Sequence, residues 1–286
     1  MAVQESSTVP IGFSTWIYKE LDLLEALNRL AQQGVRHVEI WGNNTHLDPR
    51  LPHPELQEVK GTLERLQVKA SSFHAPFSHF DIEIPLEERN RYWVEQLKKS
   101  IEYAQVLDCE TVVVHPVYTA RRLSPLAQAD LQVEVVECSE AMWKELLAFL
   151  DDKEITLAVE NMRKQTADHF RHPAELRELI QRLGDEHLAI CFDSGHALSS
   201  DVPIEEGIKA AGELLVTLHI NDNLYGDMDL HLVPGRGMIP WAEFSRALRA
   251  IGYKGIYLCE VAGGKHPEQA IQETRAALQR LLLQSG

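Results

Sequence analysis

A closed barrel of eight parallel strands, each followed by a helix, is the fold class predicted here, and three observations carry it. Short β-branched or apolar runs recur eight times, each followed by a longer stretch of helical period. These runs are nearly continuous in apolar residues, as strands covered on both faces require. The length of 286 residues is close to the roughly 250 typical of a (β/α)₈ barrel, and no glycine-rich phosphate loop suggests an open doubly wound sheet instead.

The elements follow in order. Val9–Phe13 opens the barrel, and Leu21–Gln33 is its first helix, with Leu23, Leu24, Leu27, Leu30 and Ala31 at three-and-four spacing and Gly34 at the C-cap. Val35–Ile40 and Val68–Phe73 are the next strands, with the helix Pro54–Leu66 between them. Leu86–Leu107 leads to the fourth strand, Thr111–His115, and Ala127–Leu150 to the fifth, Ile155–Glu160. Pro173–Leu183 precedes Leu188–Phe192, Pro203–Ala211 precedes Leu215–Ile220, and Pro240–Ile251 precedes Gly255–Glu260. Pro267–Leu283 closes the chain, and five of these helices begin near a proline, which a first helical turn tolerates. Strands alternating with helices imply right-handed βαβ units and a parallel sheet. With no linker-like stretch and no break in composition, residues 1–286 are expected to form one domain.

Composition narrows the class further. Hydrophobic residues make up 44%, which is ordinary for a globular protein, and no apolar run approaches the roughly 20 residues that span a bilayer. The opening MAVQESSTVP has neither a basic nor an apolar signal region, so a cytoplasmic location is expected. Cys109, Cys138, Cys191 and Cys259 are scattered and form no CxxC pair, so buried free thiols are expected. A net charge of −15 gives an overall field that repels polyanions, which counts against a nucleic-acid partner and towards a small-molecule substrate.

In such a barrel, chemistry collects at the C-terminal ends of the strands. Six strands here end in His, Asp or Glu directly after an apolar run: His74, His115, Glu160, Asp193, His219 and Glu260. Asn161 and His196 follow Glu160 and Asp193, and a later loop carries Asp229 and His231. Burying several carboxylates together without cations is prohibitively unfavourable. A divalent metal relieves that repulsion and takes imidazole nitrogen and carboxylate oxygen as ligands.

These strand ends, together with the string His231-Leu-Val-Pro-Gly-Arg-Gly-Met-Ile-Pro-Trp, resemble the xylose isomerase-like barrel superfamily over nearly the whole chain. That superfamily holds sugar isomerases and epimerases, inosose-processing enzymes and abasic-site endonucleases of the endonuclease IV type. The resemblance implies a metal quartet at Glu160, Asp193, His219 and Glu260. The endonuclease branch uses nine ligands for three zinc ions, and all nine have counterparts here, adding His74, His115, His196, Asp229 and His231. Phe-Asp-Ser-Gly-His around Asp193 and Met-Arg-Lys after Asn161 depart from the nuclease pattern. The reading is therefore a divalent-metal-dependent isomerase or epimerase acting on a sugar, sugar phosphate or related polyol ketone through an enediolate. Glu160 and Glu260 exchange the proton in this reading. An endonuclease-like phosphodiesterase and an inosose- or shikimate-type dehydratase are the alternatives. Mn²⁺ is the first expectation for the metal, with Zn²⁺, Co²⁺ or Mg²⁺ as alternatives. His196, Arg236 and Trp16 are candidates for holding substrate, Trp16 by packing on a sugar face. Ala120-Arg121-Arg122 is read as a solvated helix entry, and Trp93 and Trp143 as helix packing. Homo-oligomerisation stays open.

Overall fold

The predicted apolar runs do become strands, because each can bury both of its faces between neighbouring strands and surrounding helices. The computed structural model describes residues 9–76, 86–116, 140–166, 169–226 and 228–283. The strands are β1 (Ile11–Ser14), β2 (His37–Trp41), β3 (Lys69–His74), β4 (Thr111–Val114), β5 (Thr156–Glu160), β6 (Leu188–Asp193), β7 (Leu215–His219) and β8 (Tyr257–Cys259). All neighbours are parallel, in the order β7-β6-β5-β4-β3-β2-β1-β8. The two end strands meet where Ile220 N donates to Leu258 O at 2.8 Å and Glu260 N donates to Ile220 O at 3.0 Å, which closes the barrel.

The helices are α1 (Leu23–Gln32), α2 (Leu56–Leu66), α3 (Leu86–Val106), α4 (helical residues 140–150), α5 (Pro173–Leu183), α6 (Ser194–Ser199), α7 (Ile204–Ala211), α8 (Trp241–Ala250) and α9 (Pro267–Leu283). Residues 127–139 of the expected fourth helix, Cys138 and the Ala120-Arg121-Arg122 cluster lie outside the described residues. Local chemistry sets several boundaries. The Asp22 side chain accepts from Glu25 N at the start of α1, and Gly34 takes φ +72° just past its end. His172 and Glu175 cap the start of α5 reciprocally, with Pro173 in the first turn. Helix α6 was not anticipated: Asp193 ends β6 and also caps α6, its Oδ1 accepting from His196 N at 2.6 Å.

Large apolar side chains such as Phe13, Phe73, Phe192, Leu27 and Phe244 fill the layer between strands and helices. Trp143 is fully buried in that core, whereas Trp93 is half-buried with Arg50 over its ring. Inside the barrel the residues are smaller, and Val113, Ala158 and Cys191 pack there as a separate cluster. Side chains two residues apart on a strand share a side. His115, Glu160 and Asp193 therefore stand one layer above that apolar floor, at the C-terminal mouth. Cys109, Cys191 and Cys259 are buried free thiols. None of the described helices is long and apolar enough to cross a membrane.

Candidate metal centre

Glu160 is the hub of the mouth. Its Oε2 lies 3.0 Å from His115 Nε2 and 3.3 Å from His74 Nε2, while its Oε1 lies 3.1 Å from His196 Nδ1 and 3.2 Å from His219 Nδ1. His219 Nδ1 is also 3.4 Å from Glu260 Oε2. Ligand atoms of Glu160, Asp193, His219 and Glu260 all lie within 4.8 Å of one another, and all four residues are buried. His74 and His115 form a second such group with Glu160. Beside them, Asp229 lies 3.6 Å from His196 Nε2 and 3.3 Å from His231 Nε2. All nine strand-end and loop positions singled out by sequence thus converge on one pocket.

The supports are as specific as the cluster they hold. Asn161 clamps the Asp193 backbone, accepting from its N at 2.8 Å and donating to its O at 3.1 Å. Asn221 Nδ2 donates to Asp193 Oδ2 at 2.9 Å. His74 Nδ1 meets the Ala75 carbonyl and His231 Nδ1 the Glu260 carbonyl, each at 2.8 Å, which turns both Nε2 atoms towards the carboxylates. Two residues overlooked in the sequence complete the frame. Glu39, in mid-strand on β2, is fully buried and accepts from Ser72 Oγ at 2.8 Å and His219 Nε2 at 3.0 Å. Its signal was a lone carboxylate inside Val-Glu-Ile. Asp222 accepts from Asn223 N, Gly235 N, Ile239 N and Trp241 Nε1 at 2.7–3.0 Å. It therefore folds the glycine-containing string against β7. A Cβ on Gly237 would meet Asn223 O at 2.3 Å and Asp222 Oδ1 at 2.4 Å, so glycine is required there.

The substrate-side candidates separate. The Trp16 ring lies 4.7 Å from the His231 ring, at the edge of the cluster. Arg236 is more than half exposed, paired with Glu273 of α9, and reaches the site only as a joint liner, with His231, of a cavity of about 280 Å³. Arg163, which follows Asn161 by two residues, lies nearer, 3.7 Å from Asp229.

Electrostatics follow from this packing. Burial alone would raise the Glu160 carboxyl, but the His219 and His115 rings outweigh it and hold it well below the ordinary value. Burial raises the carboxyls of Asp193 and Glu260. Burial lowers His115 to about 4, whereas at His231 burial is outweighed by the Asp229, Glu260 and Asp193 carboxylates together, which push the ring up to about 9. Mixed nitrogen and oxygen donors around three buried carboxylates suit a divalent cation. One atom argues for it directly: His219 Nδ1 is buried, faces Glu160 and Glu260, and makes a well-aligned hydrogen bond to neither.

Residues 27–281 match the family model described as the xylose isomerase-like TIM barrel. The chain belongs to that family. Within it, the chain is 28% identical over 252 residues to an uncharacterized protein of Methanocaldococcus jannaschii, covering 87% of this chain and 82% of that one. A D-psicose 3-epimerase of Enterocloster bolteae is 27% identical over 117 residues, 41% of this chain and 37% of its own length. Among solved structures, a D-tagatose 3-epimerase-like protein superposes with a TM-score of 0.81 at 25% identity, covering 96% of this chain and 98% of that one.

Proposed function

We propose that this chain is a divalent-metal-dependent epimerase or isomerase of a ketose-type sugar or sugar phosphate. One observation carries the reading: Glu160 and Glu260 approach the same unpartnered nitrogen of His219, at 3.2 and 3.4 Å, from strands five and eight. The relatives named as a D-psicose 3-epimerase and a D-tagatose 3-epimerase-like protein support a ketose as the substrate class. Glu160, Asp193, His219 and Glu260 are the ligands in this reading, and the cation supplies the positive charge that stabilises negative charge developing on substrate oxygens. In this reading Glu160 and Glu260 would flank the reacting carbon, one removing its proton and the other returning a proton from the opposite face. His196 and Trp16 line the remaining edge, His196 to hold a hydroxyl and Trp16 to cover the sugar's apolar face.

The decisive experiment uses Mn²⁺-loaded protein, a panel of ketohexoses and ketopentoses, and D₂O. The wild type is expected to wash deuterium into the carbon beside the carbonyl. Glu260→Gln keeps size and one ligand oxygen but cannot carry the proton, so turnover is expected to fall by about 10²–10⁴-fold while much of the metal stays. Glu160→Gln is expected to behave similarly. Near-wild-type turnover of a true substrate by Glu260→Gln eliminates the two-glutamate mechanism.

A second reading, metal-assisted phosphodiester cleavage, is favoured by the convergence of all nine nitrogen and oxygen donors, which suits clustered metals clamping attacking and leaving oxygens. The net charge of −15 weighs against DNA as its substrate. Three Zn²⁺ per chain together with incision of abasic DNA, abolished by His74→Ala, would replace the epimerase reading with this one.

A further inference from the structure

Glu39 sits where a carboxylate is costly. It lies in the middle of β2, between Val38 and Ile40, and has no exposed surface. Taking such an ion out of water costs several kcal/mol unless it is paired and hydrogen-bonded, so its partners reveal what it is there to do. They are Ser72 Oγ and His219 Nε2, both on Oε2.

The contrast with the neighbouring rings is the argument. His74 and His231 each meet a backbone carbonyl through Nδ1 and present Nε2 to the carboxylate cluster. His219 is turned the other way, with Nε2 against a charged carboxylate and Nδ1 facing Glu160 and Glu260. A carbonyl can fix a ring's tautomer. A carboxylate fixes it and also raises the basicity of the opposite nitrogen. The Ser72 hydroxyl holds the carboxylate oxygen that receives the ring, and the His74 ring stacks on His219 at 5.4 Å, so His219 has little freedom to flip.

We propose that Glu39 is a positioning residue: it holds His219 in the tautomer protonated at Nε2, so that Nδ1 ligates the divalent cation, and it thereby sets the affinity of the quartet for metal. This rests on the metal reading above, and the experiment separates the two. Mn²⁺ binding is titrated in the wild type and in Glu39→Gln, which keeps an oxygen acceptor for His219 but removes the charge. The expected result is a 10–100-fold weaker Mn²⁺ affinity in the variant. No Mn²⁺ binding by the wild type overturns the metal reading itself. Tight binding by the wild type with a change under threefold in Glu39→Gln overturns only the role of Glu39. A second measurement needs no variant: nitrogen-15 histidine spectra of Zn²⁺-loaded wild type are expected to show His219 coordinated through Nδ1 with a proton on Nε2. Coordination through Nε2 overturns the proposal.

Discussion

Gly195→Ala tests how closely the mouth of the barrel is packed. Gly195 is the second residue of α6, where alanine would ordinarily gain about 1 kcal/mol over glycine through helix propensity. Here a Cβ would stand 2.1 Å from Asn221 Oδ1, well inside any real contact, and 3.1 Å from Asn221 Cγ, a tight one. Asn221 is fully buried and donates from its Nδ2 to Asp193 Oδ2, a bond that its displacement would strain or break. A hydrogen bond to a charged group contributes about 1.5–3 kcal/mol, and overpacking a tight interior costs about 1–3 kcal/mol. These losses outweigh the propensity gain and leave the variant about 1.5–5 kcal/mol less stable. Urea unfolding followed by circular dichroism, with chelator present, reads this directly. Mn²⁺ titration should separately show weaker binding, because Asp193 loses its outer support. A Gly195→Ala protein at least as stable as the wild type would refute the steric argument.

Chelation is expected to abolish turnover, and Asp193→Ala and His219→Ala to lower metal content per chain; full occupancy in both would mean that the ligands lie elsewhere. Asp222→Asn leaves one acceptor oxygen facing four donors and should cost about 2–4 kcal/mol, with a shift in Trp241 fluorescence as the loop loosens. His46 supplies a pH test away from the candidate metal centre. Burial lowers its ring to about 4, against weaker opposition from the Tyr18 and Leu21 carbonyls. The unfolded chain therefore binds a proton there below about pH 6.5 that the folded one refuses until about pH 4, and stability should fall with pH by up to about 1.4 kcal/mol per unit across that window. His46→Gln should flatten this slope relative to the wild type, and parallel slopes would dismiss His46 as its source.

The strand-end carboxylates and imidazoles could be read from sequence because the barrel sends the last residue of each buried strand to one mouth. An apolar run ending in His or Glu is therefore a positional statement as well as a compositional one. Glu39 escaped because that rule looks only at ends, whereas the interior of this barrel admits a carboxylate in mid-strand when another strand supplies a hydroxyl and an imidazole. The partners, Ser72 and His219, are 33 and 180 residues away. Helix α6 escaped for a different reason. Asp193 was assigned to the site, and a six-residue helix has no apolar periodicity to announce it. Arg236 had suitable chemistry, but the nearness of Glu273 on α9, which draws it to the rim, is invisible in one dimension.

Asp193 has a consequence beyond its place in the proposed metal quartet. One carboxylate oxygen receives the His196 amide and the other receives Asn221, so any shift of this carboxylate towards a cation is felt by the first turn of α6. If a cation binds Asp193 as proposed, its occupancy and local fraying of that helix would be thermodynamically linked. The exchange rate of the His196 amide proton is then expected to report, from the backbone itself, whether a cation is bound. It could be followed without any substrate, by titrating Mn²⁺ into the protein.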